Sequence, residues 1–222
     1  MNYLLKLIQK ILDLIFPLHE NVQVLEKISP AEFAARVPRA EPKDEFSASD
    51  FYPLFRYRHP LMRTAIWQIK YRGNRDVAKL LAQLLYDEMI AELEDETIFG
   101  NFTKPLVLAV PLSLKRKRKR GFNQIELILD ELRKIDLGRT MEFSKNILTK
   151  RRDTLPQTTM KDRRLRIMNL KGCFAVAKPE LVRDRNIIVV DDVLTTGSTI
   201  NESRQTLLKA GARKVICFTL AH

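Results

Sequence analysis

Two adjacent carboxylates, Asp191 and Asp192, end a run of four β-branched apolar residues, Ile187, Ile188, Val189 and Val190. A loop of small residues follows, Thr195, Thr196, Gly197, Ser198 and Thr199, and leads into an amphipathic stretch over residues 200–210. This order predicts a buried strand, an acidic pair at its carboxyl end, and a small-residue loop at a helix N-terminus. Such a loop suits a phosphate. The first amide donors of a helix lack internal partners, the helix dipole favours an anion, and Gly197 admits a close backbone approach. Carboxylates repel phosphate, so their partners beside it must be hydroxyl groups or a metal ion. A phosphate flanked by vicinal hydroxyls describes a ribose 5-phosphate, the ligand class to which these residues point.

The elements that must position the pair read as an alternating α/β chain. Residues 51–57 suit a strand, with Pro53 placing it at a sheet edge. His59 and Pro60 open a helix that ends near Gly73, and residues 76–94 carry a stronger one. Leu106, Val107, Leu108, Ala109 and Val110 form the continuous apolar run of a central parallel strand. Residues 125–135 predict a helix, 141–148 and 173–176 weaker strands, and 214–220 the closing strand. The expected fold is α/β: a mostly parallel twisted sheet with helices on both faces. Ligands of such sheets bind outside the carboxyl ends of the strands. Three loops meet that condition, after Val110, after Leu148 and after Val190, and the first two are rich in Lys and Arg. The run Lys115, Arg116, Lys117, Arg118, Lys119 and Arg120 has three readings: a solvated loop, a contact to the phosphate-bearing ligand, or an arm for DNA.

The chain has 222 residues, and 39 Lys and Arg against 27 Asp and Glu give a formal charge of +12. That excess suits an anionic partner such as polyphosphate, nucleic acid or an acidic membrane surface. Cys173 and Cys217 are the only cysteines and are far apart, which excludes a CxxC zinc site and points to a reducing, cytoplasmic setting with buried thiols. Residues 2–16 are apolar at helical spacing but interrupted by Lys6, Lys10 and Asp13, too often to span a bilayer. A structural or docking helix is preferred there, and no stable membrane insertion is expected. Residues 17–50, with Pro30, Pro38 and Pro42, read as irregular and linker-like. The expected division is therefore 1–50, an N-terminal helix and irregular segment, and 51–222, the α/β domain. Trp67 is expected in the core.

The strand, acidic pair and T-T-G-S-T loop resemble the phosphoribosyl-pyrophosphate (PRPP) signature of the type I phosphoribosyltransferases. A second block sharpens the likeness: Val110-Pro111-Leu112, Arg116, Arg120-Gly121-Phe122-Asn123-Gln124 and Glu126. Within those transferases it resembles the ComF (ComFC) group, which is linked to DNA uptake in natural competence. Lys70-Tyr71-Arg72-Gly73, then Leu148, Lys150, Thr154 and Gln157, then Arg166, Asn169 and Phe174, and finally Leu220-Ala221 extend it from about residue 66 to residue 222. Lys150 stands where the group usually has Arg. The group's N-terminal zinc module has no counterpart, since residues 17–50 hold no cysteine, and zinc is not expected.

The resemblance implies a mechanism. Asp191 and Asp192 would act on the ribose hydroxyls of PRPP, and Thr195, Thr196, Gly197, Ser198 and Thr199 would hold its 5-phosphate. Pro111 and Leu112 would turn the pyrophosphate loop, with Arg116 and Arg120 as its cations. Lys150, Arg151, Arg152 and Arg163 would belong to a covering loop. Mg2+ would arrive with PRPP. No base-reading motif identifies an acceptor, so two functions stay open: phosphoribosyl transfer to an unknown acceptor, or a non-catalytic factor that senses PRPP or binds single-stranded DNA alongside competence proteins.

Overall fold

Strand β6 (Asn186–Val193) forms the spine of the sheet, and its first five residues are all buried. It lies between β7 (Lys214–Ala221) and β2 (Leu106–Ala109), with β1 (Phe51–Phe55) beyond β7 and β3 (Glu142–Phe143) beyond β2. Every pairing in this five-stranded sheet is parallel. Pro53 sits on the edge strand, where a missing N–H is tolerated. The structure, a computed structural model, describes residues 19–41, 50–152 and 172–222.

Alternation along β6 divides the apolar interior. Ile188 and Val190 enter a core shared with α3 (Pro60–Trp67), α4 (Arg75–Gly100) and α6 (Gln124–Ile135). Ile187 and Val189 enter a second core with α7 (Ser198–Lys209) and Cys217. Both cysteines are buried and free. The parallel sheet with helices on both faces is the fold expected. No described helix is long and apolar enough to cross a membrane.

The segment expected to be irregular is helical over much of its described part. Helices α1 (His19–Lys27) and α2 (Pro30–Arg36) send Leu25 and Phe33 into the first core, and Val37 joins them just past α2. Ser29 and Glu32 form a reciprocal capping box, with Pro30 at the first helical position. Phe33 meets Phe55 edge to face at 5.4 Å, which ties α2 to β1. The helix expected over residues 2–16 lies outside the described residues.

The basic run is not a loop. Residues 114–120 form a short helix, α5 (Leu114–Arg120). Ser113 caps it, accepting from Arg116 N–H at 3.4 Å, and Gly121 ends it at a φ of 85°. Lys and Arg are good helix formers, and with no residue of α5 buried their charges stay solvated. The strand expected over 141–148 is broken. The chain leaves β3 after Phe143, turns through Asn146 at a φ of 62°, and resumes as β4 (Leu148–Lys150). β4 pairs antiparallel with β5 (Phe174–Val176) in a separate ribbon, so the loop after Leu148 does not follow a strand of the main sheet. Trp67 is half-buried rather than a core residue, stacked obliquely on exposed Tyr71 at 5.6 Å.

Candidate functional site

Strands β2 and β6 are neighbours, but the chain runs from β2 to β3 on one side and from β6 to β7 on the other. The helices that follow, α6 and α7, belong to opposite cores. Their connecting loops, residues 111–113 and 194–197, therefore diverge at the carboxyl edge and open a crevice at a topological switch point. Both loops hold sequence-derived residues, Pro111 and Leu112 in one and Thr195, Thr196 and Gly197 in the other.

On the β6 side, Gly197 caps α7 with a left-handed backbone (φ 66°) and, as glycine, brings no side-chain cap. Ser29, Ser113 and Asn123 do cap α2, α5 and α6 with side chains. α7 thus differs from them in starting without an N-cap side chain, which suits an anion. Thr196 Oγ1 and Ser198 Oγ lie 2.9 Å apart, Thr195 is exposed, and Thr199 stands in the first turn.

The two carboxylates do not share one environment. β6 continues through Val193, which pairs with Ala221, so the pleat sends Asp191 and Asp192 to opposite faces. Asp192 is buried on the face of the first core. Its Oδ2 accepts from Gln124 Nε2 at 2.7 Å and lies 3.0 Å from Lys70 Nζ. Gln124 Oε1 in turn accepts from Arg120 at 2.9 Å, and the Arg120 guanidinium covers the Tyr71 ring at 5.3 Å. Lys70 reaches this point from a π-helical turn (Gln68–Arg72) that closes at Gly73 with a φ of 59°. A Cβ on Gly73 would stand 3.1 Å from the Phe122 ring, so glycine lets the two segments meet.

Asp191 lies on the other face, half-buried, beside Thr219 on β7. Its Oδ1 accepts from Asp192 N–H at 2.8 Å. Burial lifts its carboxyl to about 7, and the charge of Asp192 adds to the rise, against the Asp192 N–H bond, Lys70 and Lys150. Thr219 is buried, and its Oγ1 has no hydrogen-bond partner among the described residues.

The remaining candidates are dispersed. Pro111 and Leu112 turn the chain after β2, Arg116 is exposed on α5, and Lys150 ends β4 with its ammonium 5.3 Å from the Phe174 ring centre. Arg163 lies outside the described residues. Sequence reasoning left Lys70, Gln124 and Thr219 out of the site. Lys70 and Gln124 stood in quoted motifs, while Thr219 carried only the signal of a hydroxyl in an apolar strand. Among the described residues no group of three His, Cys, Asp or Glu gathers to hold a metal ion.

The phosphoribosyl transferase domain family matches residues 75–222. The chain is 33% identical over 165 residues to the DNA utilization protein YhgH of Escherichia coli O157:H7, covering 72% of this chain and 69% of that one. It is 33% identical over 159 residues to Competence protein F of Haemophilus influenzae, covering 70% and 66%. A solved hypoxanthine phosphoribosyl transferase of Trypanosoma cruzi aligns at 10% identity and a TM-score of 0.37 over 65% of this chain and 62% of that one, too loosely to bear on the site.

Removing one partner of a buried ion pair leaves the other charge uncompensated. Lys70→Met should cost ~2–3 kcal/mol in urea denaturation, and much less in an Asp192→Asn background. An equal cost in both backgrounds would show that the junction is not what Lys70 supports. For Asp191, a folded-state value raised above the unfolded one means stability fully present below about pH 4 and lost as pH rises through about 7. Asp191→Asn should therefore raise Tm at pH 8 by about 5 °C, on the order of 1–2 kcal/mol, and leave it unchanged at pH 4. A Tm difference that is the same at both pH values would contradict this.

Proposed function

Because this chain belongs to the ComF family of phosphoribosyl transferase domain proteins, we propose that the crevice between β2 and β6 binds PRPP. One observation carries the reading: an acidic strand end joins, through a glycine-closed loop, a helix N-terminus without a side-chain cap at the switch point of the sheet. In this reading the 5-phosphate accepts from the α7 amides and the hydroxyls of Thr196, Ser198 and Thr199. Asp191 accepts from the ribose hydroxyls, and Thr219 lies beside it as a further polar group. Asp192 contributes by bracing the strand end through Lys70 and Gln124. Pro111 and Leu112 shape the pyrophosphate side, with Arg116, Arg120 and Lys150 as its nearby cations.

The donor set fits a metal ion that enters with its ligand: Asp191 offers one carboxylate oxygen not used by the Asp192 N–H. Bound Mg2+ would neutralise pyrophosphate charge. Transfer would break the bond from C1 to the pyrophosphate oxygen, with the electron pair leaving on pyrophosphate. The lone pair of an acceptor would form the new bond, and the acceptor would lose its proton to solvent. Binding without transfer, as a PRPP sensor in the cytoplasm, uses the same crevice.

Calorimetry with PRPP and Mg2+ at pH 8, above the raised range of Asp191, should give one saturable site, weakened about tenfold or more by Asp191→Asn because a charged acceptor of two hydroxyls is neutralised. Heat identical in wild type and variant, or none in either, would overturn the reading. Turnover measured alongside separates transferase from sensor.

A second reading has its own support. Tyr71 is 59% exposed beneath Arg120, Trp67 adjoins it with Arg72 over its ring at 5.5 Å, and Arg120 ends α5, whose preceding cations are exposed. Aromatic rings beside guanidinium groups suit single-stranded nucleic acid. The relatives' names, which refer to DNA utilization and competence, agree with such a partner. Oligothymidylate binding, read by fluorescence anisotropy, should weaken about tenfold in Tyr71→Ala. Loss of Arg118 and Lys119 should make the salt dependence shallower by ~0.7 per phosphate contact removed. Salt-independent binding, or binding indifferent to Tyr71, would rule this surface out.

A further inference from the structure

The amino edge of the sheet, opposite the crevice, collects positive charge. The register aligns Lys214 with Asn186, and Leu106 with both Ile187 and Glu142, so the turns that enter β7, β6, β2 and β3 meet along one edge. These turns, residues 211–214, 183–186, 101–105 and 136–142, bring six cations: Arg213, Lys214, Arg183, Arg185, Lys104 and Arg139. Three acids accompany them, and two are engaged. Asp136 is buried and accepts from the Thr140 and Met141 amides at 3.1 and 3.0 Å. Glu142 is shared between Arg185 at 2.9 Å and Lys104 at 3.6 Å. Only Asp184 is an exposed carboxylate.

The turns are fastened to one another. Asp184 N–H donates to the Gly211 carbonyl at 2.8 Å, and Arg213 N–H to the Arg185 carbonyl at 2.9 Å. Asn186 Nδ2 donates to the Asn101 carbonyl at 3.1 Å, and the Lys214 ammonium lies 6.0 Å from the Phe102 ring centre. Asn101, Lys104, Arg139 and Asp184 hold left-handed backbones, with φ of 52°, 45°, 49° and 57°. Non-glycine residues persist there only where their surroundings over-determine them, as at ligand clamps. A row fixed in this way forfeits little loop entropy on binding. Its outermost cations are available. Arg139, Arg183 and Arg213 are exposed, and their side chains have no hydrogen-bond or ion-pair partner among the described residues.

The neighbours of the row narrow the partner. Leu137, 88% exposed, stands just before Arg139, and Leu181, 41% exposed, just before Arg183. The one aromatic residue of these turns, Phe102, is buried, so bases would find no ring to stack on. Leucines beside arginines suit instead a chain that carries both carboxylates and apolar side chains. Neighbouring strands lie ~4.8 Å apart, so the row spans about 14 Å from β7 to β3, the length that three alternate side chains of an extended segment cover. We propose that the amino edge is a docking surface for an acidic segment of a partner protein. Its carboxylates meet Arg139, Arg183 and Arg213, and its apolar side chains meet Leu137 and Leu181. The surface lies at the opposite edge from the crevice and does not depend on the PRPP reading.

The probe is a fluorescein-labelled peptide of Glu and Leu, titrated into the full chain by anisotropy and followed by 15N-resolved NMR. The expected result is saturable binding that weakens with salt and shifts the amide resonances of Arg139, Asp184 and Arg213. Arg139→Glu, Arg183→Glu and Arg213→Glu together should weaken it about tenfold or more, and a peptide with Ser in place of Leu should bind about threefold more weakly. Arg139→Gln, Arg183→Gln and Arg213→Gln give a milder second variant should the charge reversal fail to fold. Asp191→Asn should leave peptide affinity unchanged, which separates this surface from the crevice. No saturable binding, binding indifferent to the arginine substitutions, or equal binding of the Ser peptide would each overturn the proposal. So would oligothymidylate that displaces the peptide and shifts the same amides, which would make the row a nucleic-acid surface.

Discussion

The Asp192 carboxylate is the point on which the site depends. A charge at the end of a buried strand needs compensation, and here it comes from Lys70 on the π-helical turn and Gln124 at the start of α6. Two segments distant in sequence are thereby fixed to one oxygen of a third. Arg120 extends the connection to Tyr71, and Phe122 closes it against Gly73. Because the strand end is braced from one face, Asp191 is held in place on the other. Its carboxyl is then withdrawn from water and stands close to a second negative charge, and its raised protonation range follows from burial first and that charge second.

The arrangement divides the labour of an acidic pair that looks equivalent on paper. In an extended strand, adjacent residues cannot both face one ligand. The carboxylate that meets the first core becomes part of the scaffold, and its neighbour lies on the opposite face, beside Thr219. The switch point adds the rest: loops that diverge because their helices must cover opposite faces of one sheet. The phosphate-suited helix end and the acidic strand end are close because a single short loop joins them.

How much of this could be read from the chain differs by element. β6, β2, α7 and their loop were legible because a continuous apolar run and a glycine-containing loop are local signals. α5 was misread because six consecutive charges suggest solvation, although Ser113 and Gly121 mark the two ends of a helix. α2 was missed although Ser29-Pro30-Ala31-Glu32 is a capping box with proline at the first position, since three prolines and mixed charge dominated the reading of that region. The break between β3 and β4 depends on a left-handed Asn146, a conformation that asparagine tolerates but does not announce. The bonds of Asp192 were not legible at all. They join residues 68 and more positions apart through the tertiary fold, and the motifs that hold Lys70 and Gln124 carried no sign of their common partner.

The place of β1 has a consequence for how the protein is made. Its partner strand in the sheet is β7, so Phe51 waits for Cys217, while its other edge meets residues 38–40 through the Arg39–Phe55 bridge. During synthesis on the ribosome the early strand emerges long before the strand that completes it, while α1, α2 and α3 can already collapse around Phe33 and Phe55. The amino-terminal part therefore remains partly assembled, the ladder groups that face β7 unpaired, until nearly the whole described chain has left the exit tunnel. Closure of so distant a pairing is slow, and this interval is when the nascent protein most needs a chaperone.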